Sequence, residues 1–197
     1  MISLNKSGGK MKKENEVSIL KTSLALFCEQ GYEAVTMDDI AKQAKLAKST
    51  IYYSYFKSKL EIFVKILNNQ SEELFKQLEE VKATRYLTKR EKIDLLIKEF
   101  VKALSNPKNF WVLLSTTTSG DAEINKMLES FLPSFYHKYF ELICSLFEIL
   151  ELPDPKGATI IFISFFDGIV LQMKYIPEVT KGVKISNVLK DFLFKQG

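Results

Sequence analysis

Side chains able to do nucleophilic, acid–base or metal chemistry are scarce in this chain. His137 is its one imidazole, and Cys28 and Cys144, 116 positions apart, are its two thiols. No Cys/His set has zinc-like spacing, so neither a metal nor a cofactor site is read. A Ser/His/Asp or Cys/His nucleophile would have to be built on His137 alone, with Asp167 or Glu141 beside it, and no recognisable nucleophile–base spacing accompanies it. An enzyme is therefore the weaker alternative, and the expectation is a protein that binds.

What the sequence does concentrate is positive charge. Of the formal +4 carried by 197 residues, all lies in residues 1–65, which hold eleven lysines against seven acids. Within 40–65, Lys42, Lys45, Lys48, Lys57, Lys59 and Lys65 are opposed only by Glu61, a local excess suited to displacing counterions from phosphates. Interleaved with it are Ser49, Thr50, Tyr52, Tyr53 and Tyr55, whose hydroxyls and rings can meet base edges and thymine methyls.

These residues need a scaffold, and the apolar spacing predicts an all-helical one. With 46% hydrophobic and 26% charged residues the composition is that of a folded protein. The polar, basic start, residues 1–13, reads as a flexible arm, giving way to a first helix from about Lys12 to Gln30 with Gly31 as its left-handed cap. Thr36-Met-Asp-Asp39 reads as a capping box opening a second helix to about Ala44. A turn over 45–50 leads into a third helix running to Phe56, and a fourth begins near Ser58 and passes Leu78. Further helices are expected over about 88–104, 107–116, 121–150, 155–176 and 184–195, broken at Pro107, Gly120, Pro153/Pro155 and Pro177. The longest apolar run, Ala158–Leu171, is shorter than a bilayer span and carries Asp167, so no membrane partner is read. Two distant cysteines suit a reducing compartment, and a cytoplasmic location is expected.

Three short helices, with small Ala41 followed ten positions later by apolar Ile51, have the spacing of a helix-turn-helix, with Ile40, Leu46 and Ile51 as shared core. The run Ile19-Leu20, Leu26-Phe27, Gly31-Tyr32, Thr36–Ala41, Ala44, Thr50-Ile51-Tyr52 and Tyr55-Phe56-Lys-Ser-Lys59 resembles the N-terminal DNA-binding domain of TetR-type transcriptional regulators. The resemblance covers about residues 14–65. It implies a helix-turn-helix domain over 14–60, joined through a shared fourth helix to a larger effector-binding and dimerisation domain over 61–197. It also implies a homodimer, held by the last two helices, that represses from a palindromic operator on double-stranded DNA and is released by a small, partly apolar effector. Carried over by position, Thr36, Tyr55 and Lys59 would hold phosphates, with Lys57 beside them, while Thr50 and Tyr52 lie on the groove face. Lys48, Ser49, Thr50 and Tyr53 are the candidates for base readout. The chain departs from the family pattern twice: Lys45 stands where the turn usually has Gly, and three residues rather than two separate Tyr52 from Phe56.

The second part of the chain is neutral and aromatic. Trp111, Phe131, Phe135, Phe140 and Phe166, with the polar His137 and Asp167 among them, are the candidate pocket, although packing alone also accounts for such residues. Ile160, Ile161, Phe165, Ile169 and Met173, with Ile185, Val188, Leu189, Phe192 and Leu193, are more apolar surface than one small domain readily covers. The alternative to an effector-responsive repressor is an architectural DNA-binding protein with no effector.

Overall fold

In a computed structural model of the chain, residues 5–105, 113–114, 122–176, 178 and 182–194 are described. Every regular element among them is an α-helix: α1 (Asn5–Gln30), α2 (Met37–Ala44), α3 (Lys48–Ser54), α4 (Lys59–Ala83), α5 (Lys89–Ser105), α6 (Ala122–Ile149), α7 (Pro155–Tyr175) and α8 (Ile185–Phe194). The expected all-helical class holds. The helix expected over 107–116 falls almost wholly outside the described residues.

α1 starts earlier than the sequence suggested. Residues 5–13, read as part of an arm, continue the helix. Once the turns over 14–30 are fixed by packing, each added residue forms a backbone bond without a new nucleation cost, and the Lys10–Glu14 pair at 4.0 Å adds a weak i,i+4 attraction. At the other end Gly31 takes φ 82° and returns its N–H to the Phe27 carbonyl at 2.9 Å, the left-handed stop its position implied.

Ile19, Phe27, Tyr32, Val35, Ile40, Ala41, Ile51 and Phe56 are buried together with Ile62 and Phe63 of α4. Helix α4 belongs to both parts: it packs on α1 as well as on α5 and α6. Phe27, Tyr32 and Phe63 form an aromatic triangle with centroids 5.1–5.7 Å apart, which fastens the first half of α4 to the small domain.

The larger part is built on α6 and α7. The link over 150–154 folds α7 back along α6: Glu151 takes φ 57°, Leu152 N–H reaches the Phe147 carbonyl at 3.2 Å, and Asp154 caps α7 by accepting from Gly157 N–H at 2.9 Å. Phe100 of α5 inserts between Phe162 (4.9 Å) and Phe166 (4.1 Å) of α7. α8 packs against α5, where Lys190 and Asp94 pair at 2.7 Å.

The stretch Pro155–Met173 within α7, at 19 residues, is longer than the run read from sequence and is long and apolar enough to cross a membrane by length and composition. Its Ala158, Phe162, Phe166 and Val170 are buried within the protein, the pattern of a core helix in a bundle.

Candidate nucleic-acid interface

The interface is assembled at the α2–α3 corner, and its accuracy depends on how that corner is closed. Thr36 caps α2: its Oγ accepts from Asp39 N–H at 3.2 Å, while the Asp39 carboxylate takes the Thr36 N–H at 2.9 Å and its hydroxyl at 2.6 Å. Those bonds, to the side chain and then to the backbone of Thr36, hold the Asp39 carboxyl below its usual value. The Thr36 hydroxyl donor is thus occupied within the protein.

Lys45 adopts φ 58° and ψ 39°. The left-handed turn is made here without glycine, closed by Lys45 N–H to Lys42 C=O at 3.3 Å and Leu46 N–H to Ala41 C=O at 3.0 Å. This paired closure satisfies the last carbonyls of α2 and offsets the steric cost of a side chain at positive φ.

The extra residue in α3 is absorbed at its C-terminal end. Both Tyr55 N–H (3.0 Å) and Phe56 N–H (2.9 Å) converge on the Ile51 carbonyl, so the last turn is widened to an i+5 closure. Ile51 and Phe56 remain buried, at 0% and 5% exposure. The core therefore keeps both anchors, with Tyr55 half-buried against it between them.

That face carries the predicted readers. At 100° per residue Ser49 and Tyr53 lie opposite buried Ile51, with Thr50 and Tyr52 flanking them; Ser49 is exposed and Thr50 half-buried. Tyr53 is 91% exposed and Tyr52 37%, so neither is a core residue. Lys48 is exposed and bonded to Asp38 at 2.6 Å, which holds its ammonium pKa above the usual value. Lys48 must exchange that partner to reach DNA.

The residues flanking the reading helix are tied inward. Tyr55 OH accepts from Asn15 Nδ2 of α1 at 3.0 Å. Lys57 is exposed, and its backbone N–H donates to the Glu61 carboxylate at 2.6 Å. Lys59, expected on phosphate, instead donates to the carbonyls of Tyr32 (2.8 Å), Glu33 (3.3 Å) and Val35 (2.8 Å), with its ammonium 4.2 Å from the Tyr32 ring centroid. All three of its protons have acceptors in the α1–α2 loop. The reason is proximity: the first turn of α4 lies against the backbone carbonyls of the loop that joins α1 to α2, which need hydrogen-bond donors of their own.

The candidate pocket residues do not converge. Trp111 lies outside the described residues. His137 is exposed and sits 3.3 Å from Glu141 on its own helix. Asp167 is partly buried and accepts from Tyr136 OH at 3.0 Å; burial raises its carboxyl pKa, opposed by that bond, and burial likewise keeps Tyr136 protonated. Phe166 is fully buried in the α5–α7 aromatic core, and Phe140 is half-buried. Of the described candidates, only Phe131 and Phe135 line a groove of about 690 Å³ between α4 and α6 that also involves Leu60, Val64, Phe75, Met127, Lys126 and Lys138. Sequence reasoning missed its α4 wall; the i, i+4 series Leu60, Val64, Asn68 was the available signal.

A family model described as bacterial regulatory proteins, tetR family, matches residues 19–66, which contain all of α2 and α3. Among curated proteins, the fatty acid metabolism regulator protein of Bacillus subtilis is 27% identical over 128 residues, covering 62% of this chain and 65% of that protein. The biofilm operon icaADBC negative transcriptional regulator IcaR of Staphylococcus epidermidis is 39% identical over 51 residues, covering 26% and 27%. The chain spans between 24% and 65% of the length of these and the other first curated relatives it matches. The crystal structure of the transcriptional regulator FadR from Bacillus subtilis in complex with stearoyl-CoA superposes with a TM-score of 0.68 at 21% identity, over 90% of this chain and 96% of that one, a likeness of fold.

Proposed function

The chain belongs to the TetR family of bacterial regulatory proteins, and from that premise we propose that it is a ligand-responsive repressor, not an enzyme, that reads a near-palindromic operator as a homodimer in the cytoplasm. The observation that carries this reading is α3 itself. A seven-residue helix is held from below by Ile51 and Phe56 while it presents Ser49 and Tyr53 outward, among exposed Lys42, Lys45, Lys48 and Lys57. Lysines position such a helix on the backbone, and the outward pair can discriminate bases.

The outer face of α7 supports the dimer. Ile160, Ser164, Gly168, Leu171 and Tyr175 recur at helical spacing, and Ile160, Leu171 and Tyr175 are 58%, 46% and 62% exposed. Around Gly168 a methyl-sized group would meet nothing within 4 Å, which leaves room for a second helix to approach. Val188 of α8 is also exposed (51%), whereas Ile169, Leu189 and Leu193, expected at the interface, are buried within the protomer. The interface is therefore assigned chiefly to α7, with α8 contributing through Val188.

Repression is favoured by the negative regulator among the relatives, and effector control by the ligand-bound regulator of the same fold. An effector that binds one α4 position better than another shifts the spacing of the two reading helices, about 34–36 Å in the DNA-bound form. Selection of bound duplexes from random DNA by the purified chain tests the reading: two inverted half-sites are expected, and recovery of no preferred sequence overturns it in favour of an architectural protein.

A further inference from the structure

We propose that the groove between α4 and α6 binds an elongated apolar molecule ending in an anionic group, and that this molecule is the effector; the second clause rests on the regulator reading above. Its lining runs from Leu60 to Phe75 on α4 and from Glu123 to Lys138 on α6. Each wall advances 15 residues, or about 22 Å at 1.5 Å per residue. With a volume of about 690 Å³, the space is the size of a small-molecule site but shaped for a rod.

The wall chemistry selects what the rod must be. Leu60, Val64, Phe75, Met127, Phe131 and Phe135 supply apolar surface along the length. Phe135 stacks on Phe131 of its own helix at 5.8 Å and on Phe75 of the facing helix at 5.5 Å, which joins the two walls by aromatic surface. Of the charged residues lining it, Lys126 and Lys138 make no ion pair with a carboxylate among the described residues, whereas Glu123 is engaged by an interaction of its own. Lys138 holds its ammonium 4.7 Å from the Phe75 ring centroid, against the apolar wall. An ammonium with no carboxylate partner, held beside apolar surface, rewards an anion and repels a cation, so a neutral rod of the same length gains only the burial.

The location also gives the occupant a lever. Leu60 and Val64 lie in the first two turns of α4, adjoining Lys59 and its three carbonyl acceptors. A rod that widens the α4–α6 angle therefore moves the α1–α2 loop with α4.

Equilibrium dialysis of the full chain with hexadecanoate, hexadecanol and hexadecyltrimethylammonium, one chain length with three end groups, tests the assignment. Hexadecanoate should bind saturably, and the other two about tenfold more weakly or less. The double variant Lys126→Gln/Lys138→Gln should bring hexadecanoate to the level of the alcohol. Met127→Trp, checked for folding by circular dichroism, should fill the groove and weaken both. Equal binding of acid and alcohol, an unaffected double variant, or full binding by folded Met127→Trp each overturns the site. If hexadecanoate binds in the groove yet leaves the selected duplex bound, the effector role is overturned and the regulator reading stands. If no duplex is selected, the regulator reading falls and the groove assignment stands.

Discussion

Lys59→Met removes one ammonium while keeping the aliphatic stem packed, and its effect can be worked from the geometry. Three carbonyl acceptors at 2.8, 3.3 and 2.8 Å and a ring at 4.2 Å lose their partner. Hydrogen bonds involving a charged group contribute about 1.5–3 kcal/mol each, but the Glu33 carbonyl is exposed and rehydrates, and shared partners do not add. A net loss of about 3 kcal/mol follows, which for a chain of this size lowers Tm by about 6–12 °C. Thermal denaturation followed by circular dichroism reads that number. The companion measurement is binding to a random-sequence duplex across salt concentrations. If Lys59 acts inside the protein, the variant keeps the slope of log affinity against log salt. An unchanged Tm with a slope smaller by about 0.9 per subunit refutes the reasoning and returns Lys59 to a phosphate.

Three further outcomes are expected. Lys45→Gly relieves the side chain at φ 58° and should stabilise the fold by about 1 kcal/mol, while reducing the salt slope of DNA binding; a destabilised variant in urea titration contradicts the strain. Tyr53→Ala, at a 91% exposed position, should leave Tm within about 1 °C, since surface substitutions change stability little, yet change the base preferred in selection; an unchanged preference removes Tyr53 from the readers. Asp167 has a raised pKa in the fold, so its folded form holds a proton more tightly than the unfolded chain. The fold is then most favoured below the ordinary carboxylate value and loses stability as pH rises from there through the folded value. Asp167→Asn, which can still accept from Tyr136, should gain Tm at pH 7 relative to the parent and converge with it near pH 4; a larger deficit at pH 7 contradicts the sign.

The parts of the fold legible from sequence were those written in short-range chemistry. The Thr36–Asp39 box, the Gly31 stop, the helix start at Pro155 and the burial of Ile51 against α2 each depend on neighbours close in sequence. The internal contacts of Lys59 were not legible because its acceptors, at 32, 33 and 35, lie in the loop between α1 and α2, a contact 24 to 27 positions away that no local pattern encodes. The arrangement of the candidate pocket residues was not legible for a related reason. His137 and Asp167 are eye-catching because they interrupt aromatic runs, but a helix turns 100° per residue, and one faces solvent while the other faces Tyr136. Phe131 and Phe135 share a wall because they are four apart. Residues 5–13 were misjudged from composition, which takes no account of a helix already nucleated downstream.

The convergence of two N–H groups on the Ile51 carbonyl has a consequence for how operators compare across relatives. Residues 48–54 form one unbroken helix, so Ser49, Thr50, Tyr52 and Tyr53 all keep the phase set by Ile51, and the added step falls after Ser54, where Tyr55 is bonded to Asn15 of α1. A half-site read by this chain is thus expected to follow its relatives in register at every base that α3 meets, with the difference confined to the backbone beside Tyr55.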